Sequence, residues 1–578
     1  MGLGILESSR VETVPGTAFM YDDASRPTQD GQLESRRLKY DTTSGPIPVI
    51  LVPQPSDDPN DPLNWPLWKR DAILAILSIL SVIASTLSPL LAANTVTLSL
   101  LFDKDFTQMA LATGYHLLGV GVAGFLFVAS ARVWGKRHLF LLGTVLIVGS
   151  SVWGGAAGTN YKSLLWARII QGVGLAPFEA LVNASVGDLY FIHERGKRMA
   201  CSNLALFGGA FFTPILVGKI THTIGWPWSF YFIAIFCGAM LPFVFLFVPE
   251  TAFRRDDSLN IDIRGEESVQ HSSSSNITPV CEIRPTEDGK SPDSSMPVSF
   301  KKDHFSISEH RSTTQVPPKV SFARSLLPFN GRKTDESFLR LVLRPIPLFL
   351  HPAIFWACLI QGALIGWTVM IGVVLAAIFL GPPLWFDEVH TGYMYTGPFI
   401  GAILGFLLAG LLADWSAKIM IRRNNGVYEP EFRIILVAAQ LVCGCAGLYG
   451  FGITANNVAK YGWFWPDFFY ALEVMGMVLG AVSSALYIVD AHRDIAVEAF
   501  TCLLIFKNLF SFGLTWGAYH WLVQGGILKV FYVIASIQVG ICLLSIPMYV
   551  LDDASLVKKD IILHIDLILS GHQPQRGP

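Results

Sequence analysis

Apolar runs long enough to span a bilayer recur along this chain, and polar residues crowd into the short breaks between them. In order, the runs fall near 71–93, 108–131, 138–158, 164–190, 199–221 and 227–248. A second set follows near 352–379, 394–415, 431–453, 465–490, 497–521 and 527–550. A membrane helix needs about 20 residues at 1.5 Å rise each, so every run predicts one crossing. Between the two sets lies a polar segment, 252–346, rich in Ser, Pro and charges of both signs. It lacks the apolar periodicity of a packed domain and is expected as a disordered cytosolic linker. The pattern predicts an all-α membrane protein of twelve transmembrane helices in two six-helix halves, 71–251 and 347–551. Polar tails, 1–70 and 552–578, flank them.

Composition agrees: 52% of the 578 residues are hydrophobic and only 15% charged, with a mean hydropathy of +0.47. That is too apolar for an ordinary soluble enzyme. The net charge of −2, with no basic run interleaved with aromatics, gives no reason to expect a nucleic-acid partner. No nucleophile motif, Walker-type phosphate loop, or HExxH or CxxC spacing is present, so neither an enzyme, an ATP-driven pump nor a metal or cofactor site is expected. Charge distribution sets the orientation. Arg132, Lys136, Arg137, Arg195, Lys197, Arg198, Lys418, Arg422, Arg423 and Arg493 fall in alternate loops, against Lys104, Lys162 and Lys460 in the others. The positive-inside rule then puts both termini and the central segment in the cytosol.

The fourth run carries the candidate chemistry. Arg168, Gln171, Glu179 and Asn183 fall within about 120° of one another at ~100° per residue, forming one polar stripe on a helix. A charge at the bilayer centre costs at least ~2.5–3.5 kcal/mol, so the stripe should face protein or a watery cavity. Glu179 is the leading candidate, because a carboxyl group out of water can carry a proton or meet a cation. Arg168 lies roughly 16 Å along the helix from it, too far to pair directly. His116, Asn94, Asn203 and Gln361 are further polar residues at membrane depth that suit a cavity wall. In the second half, Glu473 in the tenth run and Lys507 with Asn508 in the eleventh are placed to pair on adjacent antiparallel helices. Asp188, Glu194, Arg195 and Asp414 lie at cytosolic ends, where a latch between the halves is expected. Gly397, Gly401 and Gly405, at four-residue spacing, predict close helix packing.

Several stretches carry a family resemblance. Asp61-Pro62-Leu63-Asn64-Trp65 before the first run looks like a DPxNW entry motif, and Arg168 through Gly174 like an RxxQGxG motif. Pro249-Glu250-Thr251 closes the sixth run, and Glu429-Pro430-Glu431-Phe432-Arg433 and Tyr487 to Asp490 mark the second half. In these the chain resembles fungal major facilitator superfamily transporters, in the twelve-helix drug:proton antiporter branch. The resemblance covers about 57–551. It implies an essential Arg at 168, and a kinked, closely packed fifth helix at Pro214 and Gly218. The expected acid is missing from the 130–137 turn.

The expectation is therefore a monomeric plasma-membrane exporter. It would move amphipathic or cationic organic molecules, drugs or secondary metabolites, on the proton gradient by alternating access. Uptake of organic cations such as polyamines, and a non-transporting receptor, are the rival expectations.

Overall fold

In lipid only helices satisfy every backbone group within one segment, and the apolar runs fold that way. The computed structural model describes residues 18–19, 39–41, 49–51, 55–255, 318–424, 427–491 and 495–550. The first helix is α1, Leu67–Ser85. It is followed by α2 Phe106–Trp134, α3 Arg137–Gly155, α4 Tyr161–Leu189, α5 Ile192–Ile224 and α6 Pro227–Phe247. The second half contains α7 Pro352–Phe379, α8 Thr396–Arg423, α9 Leu436–Asn456, α10 Phe464–Ala491, α11 Ala496–Gly525 and α12 Ile527–Leu543. Among the described residues, eleven helices are long and apolar enough to cross a membrane, all but α1.

The first run is broken. Turns over 86–94 separate α1 from a short helix, Thr95–Phe102. Pro89 has no N–H to continue the ladder and disfavours helical geometry at Ser88. The carbonyls this frees find a donor in another helix, as described below.

The two halves repeat one packing scheme. In the first, α1 lies on α5, α2 on α4, and α3 on α4 and α6. In the second, α7 lies on α11, α8 on α10, and α9 on α10 and α12. Each half buries an apolar core, joined across the seams by Leu504 in the first and by Ala110 and Phe211 in the second. The halves meet along two seams, α2 against α11 and α5 against α8. The short helix Glu388–Tyr393 is also laid on α5.

Small residues set these approaches. A Cβ added at Gly401 would fall 3.0 Å from the Ala471 Cα, and one at Gly405 2.9 Å from the Val478 Cβ, so the glycine row lets α8 close on α10. At Gly397 it would lie 2.6 Å from the Asp467 carbonyl. On α5, Pro214 and Gly218 face the 388–393 helix, where a Cβ on Gly392 would sit 2.6 Å from the Pro214 carbonyl.

Two of the sequence motifs are clamps at the end of the bundle that carries the basic turns. Asp61 is fully buried and caps the turn Pro62–Asn64. Arg255, just after α6, donates to both its oxygens, at 2.8 and 3.1 Å. Burial pushes the Asp61 carboxyl up, but the Arg255 guanidinium and the Ser56 and Leu63 amides outweigh it and hold the group below the usual carboxylate range. Glu250 accepts from the Lys136 and Arg137 amides at 2.9 and 3.0 Å, satisfying the start of α3. Gly135, at φ 93°, lies against that carboxylate, where no side chain fits.

The structure departs from the expected boundaries in two places. Helix α8 runs to Arg423 rather than ending near 415. No Gly or Pro falls between 411 and 423 to end it, and its basic last turn suits the helix dipole. The expected linker is also ordered at its far end. Residues 318–350 form short helices at Phe322–Ser325, Phe338–Leu343 and Pro345–Leu348, packed under α2 and α3. Residues 256–317 and the tail 551–578 lie outside the described residues.

Candidate functional site

Glu179 sits about 15 Å from the basic end of α4, and Lys507 about 17 Å from the same end of α11. Matching depth on facing helices brings them together. The Lys507 ammonium lies 3.0 Å from Glu179 Oε2, with the two side chains 13% and 11% exposed. The Asn508 amide donates to the same oxygen at 3.3 Å and to the Leu504 carbonyl at 2.9 Å. This ion pair joins the two halves at membrane depth. Two charges this far out of water depend on each other, since removing one partner leaves the other uncompensated.

A polar surface extends from the pair toward the basic end. Glu179 and Asn183, four residues apart on one face of α4, are both partly accessible. Asn183 donates to Asn203 at 2.7 Å and accepts from the Ser202 hydroxyl at 2.7 Å, tying α4 to α5. Across the molecule, α7 contains one π-type turn, Leu359–Ala363, which leaves Gln361 partly accessible. Ser484 of α10 donates to Gln361 at 3.4 Å, while Gln440 satisfies the Ile360 carbonyl at 2.9 Å.

The other half of the predicted stripe does something else. Arg168 and Gln171 are fully buried inside the first half. The guanidinium donates to the Leu87 and Ser88 carbonyls at 2.7 and 3.3 Å, the groups freed by the break at Pro89, and to Gln171 at 3.0 Å. Gln171 in turn donates to Ser151. His116, also fully buried, lies between the Ser88 hydroxyl at 3.3 Å and the Arg168 carbonyl at 3.2 Å. Arg168, Gln171 and His116 therefore form a buried polar knot of three helices and the turn after α1, apart from the Glu179–Lys507 pair. Pro177, inside α4, removes one ladder bond between the two parts of the stripe. Asn94 is buried at the start of the Thr95–Phe102 helix.

Glu473 does not pair with Lys507. It points into the second half, where it is fully buried and accepts from the Thr368 hydroxyl at 2.7 Å. Its other oxygen has no partner among the described residues. Helix α10 presents this residue toward α7 and α9, with Gly447 packed on its backbone, whereas Lys507 leaves α11 on the side facing α4.

The expected latch is also rearranged. Asp188 pairs with Lys136 at 2.6 Å and Glu194 with Arg70 at 3.1 Å, both within the first half. Asp414 is exposed on the extended α8, and the corresponding contact of the second half is Arg433 with Asp490 at 3.0 Å. The side chain of Arg195 lies outside the described residues. What joins the halves at the basic end is Glu498, a residue that sequence reasoning missed. It accepts from Arg132 at 2.9 Å and lies 3.4 Å from Arg344. The available signal was an acid in the first turn of α11 opposite a basic last turn of α2 that lacks its expected acid. At the opposite end, Thr97 hydrogen-bonds Glu388, and Phe106 stacks on Tyr519 with ring centroids 5.5 Å apart.

Known proteins place this arrangement. A sequence model of the Major Facilitator Superfamily matches residues 72–496. Protein HOL1 of Saccharomyces cerevisiae is 24% identical over 563 residues, covering 93% of this chain and 94% of that protein. The MFS transporter cpaT of Aspergillus oryzae is 23% identical, over 78% of this chain and 80% of its own. The efflux pump radE of Floropilus chiversii is 24% identical, over 79% and 75%. Among solved structures, the xylose transporter XylE from E. coli in a partially occluded inward open conformation superposes with a TM-score of 0.54 at 10% identity. The match covers 83% of this chain and 97% of that one, a likeness of fold.

Proposed function

The chain belongs to the major facilitator superfamily and is a multi-pass membrane transporter rather than an enzyme, and we propose that it exports cationic or amphipathic organic molecules in exchange for protons. The observation that carries this reading is the Glu179–Lys507 pair between the halves. A cationic substrate arriving from the basic end, taken as cytosolic because of its Lys and Arg excess, competes with Lys507 for the Glu179 carboxylate. Once the halves rock and the site faces outward, a proton takes the substrate's place on Glu179 and the cation leaves. Return to the inward-facing form releases that proton to the cytosol, and Lys507 closes on the bared carboxylate. One acid thus holds a proton or a substrate but not both, which is the condition for exchange. Asn183, Asn203, Gln361 and Asn508 supply neutral hydrogen-bonding groups around the cation. The plasma membrane is the proposed location, and a monomer the proposed unit.

The exporter names among the relatives support this direction for them. For this chain, everted vesicles test it. An acid-inside pH gradient is expected to drive uptake of a lipophilic cation, and Glu179→Gln to abolish it. Uptake driven by the opposite gradient would replace the exporter with a symporter, and a phenotype indifferent to Glu179→Gln would remove transport at this site altogether.

A further inference from the structure

The ordered segment 318–350 is built like a membrane-surface element. It runs under the basic end of the first half and then joins the second. Asn60 holds its start, bonding the Pro318 carbonyl at 3.3 Å and the Val320 amide at 2.8 Å. Phe329 packs on the His138 ring at 4.8 Å and Phe338 on Trp134 at 5.5 Å. Leu341 is buried against Ala129 and Val133. Ala129 lies about 7 Å inside the end of α2, so where Leu341 meets it the segment reaches the depth of the lipid headgroups.

Its outward side is apolar and basic together. Phe322 and Leu339 are each 65% exposed and Phe329 57%. Lys319 and Arg324 are exposed as well, and so is Arg332, whose guanidinium donates to the Thr334 and Asp335 carbonyls at 2.6 and 3.5 Å and lies near the Asp335 carboxylate. The two acids of the segment are engaged, Asp335 with Arg254 at 2.6 Å and Glu336 near Arg344 at 3.6 Å. Lys319 also lies close enough to Lys69 of α1 for the two charges to repel. Large apolar side chains beside exposed cations, at headgroup depth, match the interface of an anionic leaflet better than water or a protein partner.

We propose that residues 318–350 form an interfacial strap that inserts Phe322 and Leu339 at the acyl boundary and takes anionic lipid headgroups on Lys319, Arg324 and Arg332. Because Arg344 at its end reaches Glu498, headgroup binding steadies the α2–α11 seam.

The test uses the full chain in nanodiscs of phosphatidylcholine, with phosphatidylserine titrated in, and a fluorescent amino acid at Phe322. Blue-shifted emission, quenched by spin-labelled lipid and rising with phosphatidylserine, is expected. Each of Lys319→Gln, Arg324→Gln and Arg332→Gln should raise the phosphatidylserine needed for half the change about fivefold. Emission that stays water-like in both lipids overturns the strap. Emission that is lipid-like but indifferent to phosphatidylserine and to all three substitutions overturns the headgroup assignment. Neither readout involves transport, so failure here leaves the exporter reading untouched.

Discussion

Two glutamates lie at membrane depth, and the protein holds them in opposite ways. Glu179 spans the gap between the halves, bound to Lys507 and Asn508 and partly accessible. Glu473 is sealed within one half, bound to a single hydroxyl. An acid whose partner belongs to the other rigid body must lose or regain that partner when the bodies move. One whose partners all move with it need not. Depth in the membrane marks both residues, but only the partner distinguishes a coupling group from an internal one.

Substitution should separate them sharply. Glu179→Gln is expected to lower proton-driven transport about 100-fold. Glu473→Gln should leave the initial rate within about threefold, because an amide oxygen still accepts from Thr368. Comparable losses in vesicle flux assays would erase the distinction.

Lys507→Met comes next. It leaves the largely buried Glu179 charge with only the Asn508 amide on it, with an expected cost of about 2–3 kcal/mol, discounted from a fully buried pair for the residual exposure. The double change Glu179→Gln, Lys507→Met should recover most of that. A double-mutant cycle by thermal unfolding measures the coupling, and additive effects would mean that the pair is incidental.

Packing beside the sealed acid should behave differently. Gly447→Leu forces a side chain into the Glu473 backbone and is expected to destabilise by about 1–3 kcal/mol. The number of protons exchanged per substrate should not change. A changed ratio in the folded fraction would bring Glu473 into the coupling.

Glu498→Gln should cost about 1 kcal/mol, by weakening the contacts to Arg132 and Arg344. It should also raise the reactivity of cysteines placed along the basic-end face of α4, as the seam opens more often. Unchanged reactivity would show the seam to be held by packing alone.

The smallest effect concerns Asp61. Its folded-state carboxyl lies below the ordinary value near 3.9, so its contribution is complete above that value and disappears as pH falls through the lower, folded one. Thermal stability of wild type and Asp61→Asn should therefore differ by a constant amount from pH 5 to 8 and draw together as the pH falls below the ordinary carboxylate value.

Much of this was legible in the chain. The twelve runs, the division into halves and the glycine row on α8 follow from hydropathy and spacing, which are local properties. Glu179 was legible because an acid in an apolar run is costly wherever the helix sits. What the sequence withheld were partners. Arg168 and Glu179 share one stripe, yet one caps carbonyls freed at Pro89 and the other meets a lysine in the other half. Angular position on a helix tells which residues face inward. It does not tell which neighbour each one finds there, and the choice of Glu473 for Lys507 failed on that ground. Asp188 and Glu194 stood where a latch is expected, but Lys136 and Arg70 of their own half were nearer. Glu498 escaped notice because an acid in the first turn of a helix is ordinary, and only the fold sets it opposite Arg132.

Competition between proton and substrate for one acid tests the central claim most directly. Binding of a transported lipophilic cation to purified transporter in detergent is measured as the pH is lowered. In wild type and in Glu473→Gln the affinity should fall as protons displace the cation, and in Glu179→Gln the residual binding should not change with pH. A pH dependence that survives in Glu179→Gln and vanishes in Glu473→Gln would show that the coupling acid is the sealed one.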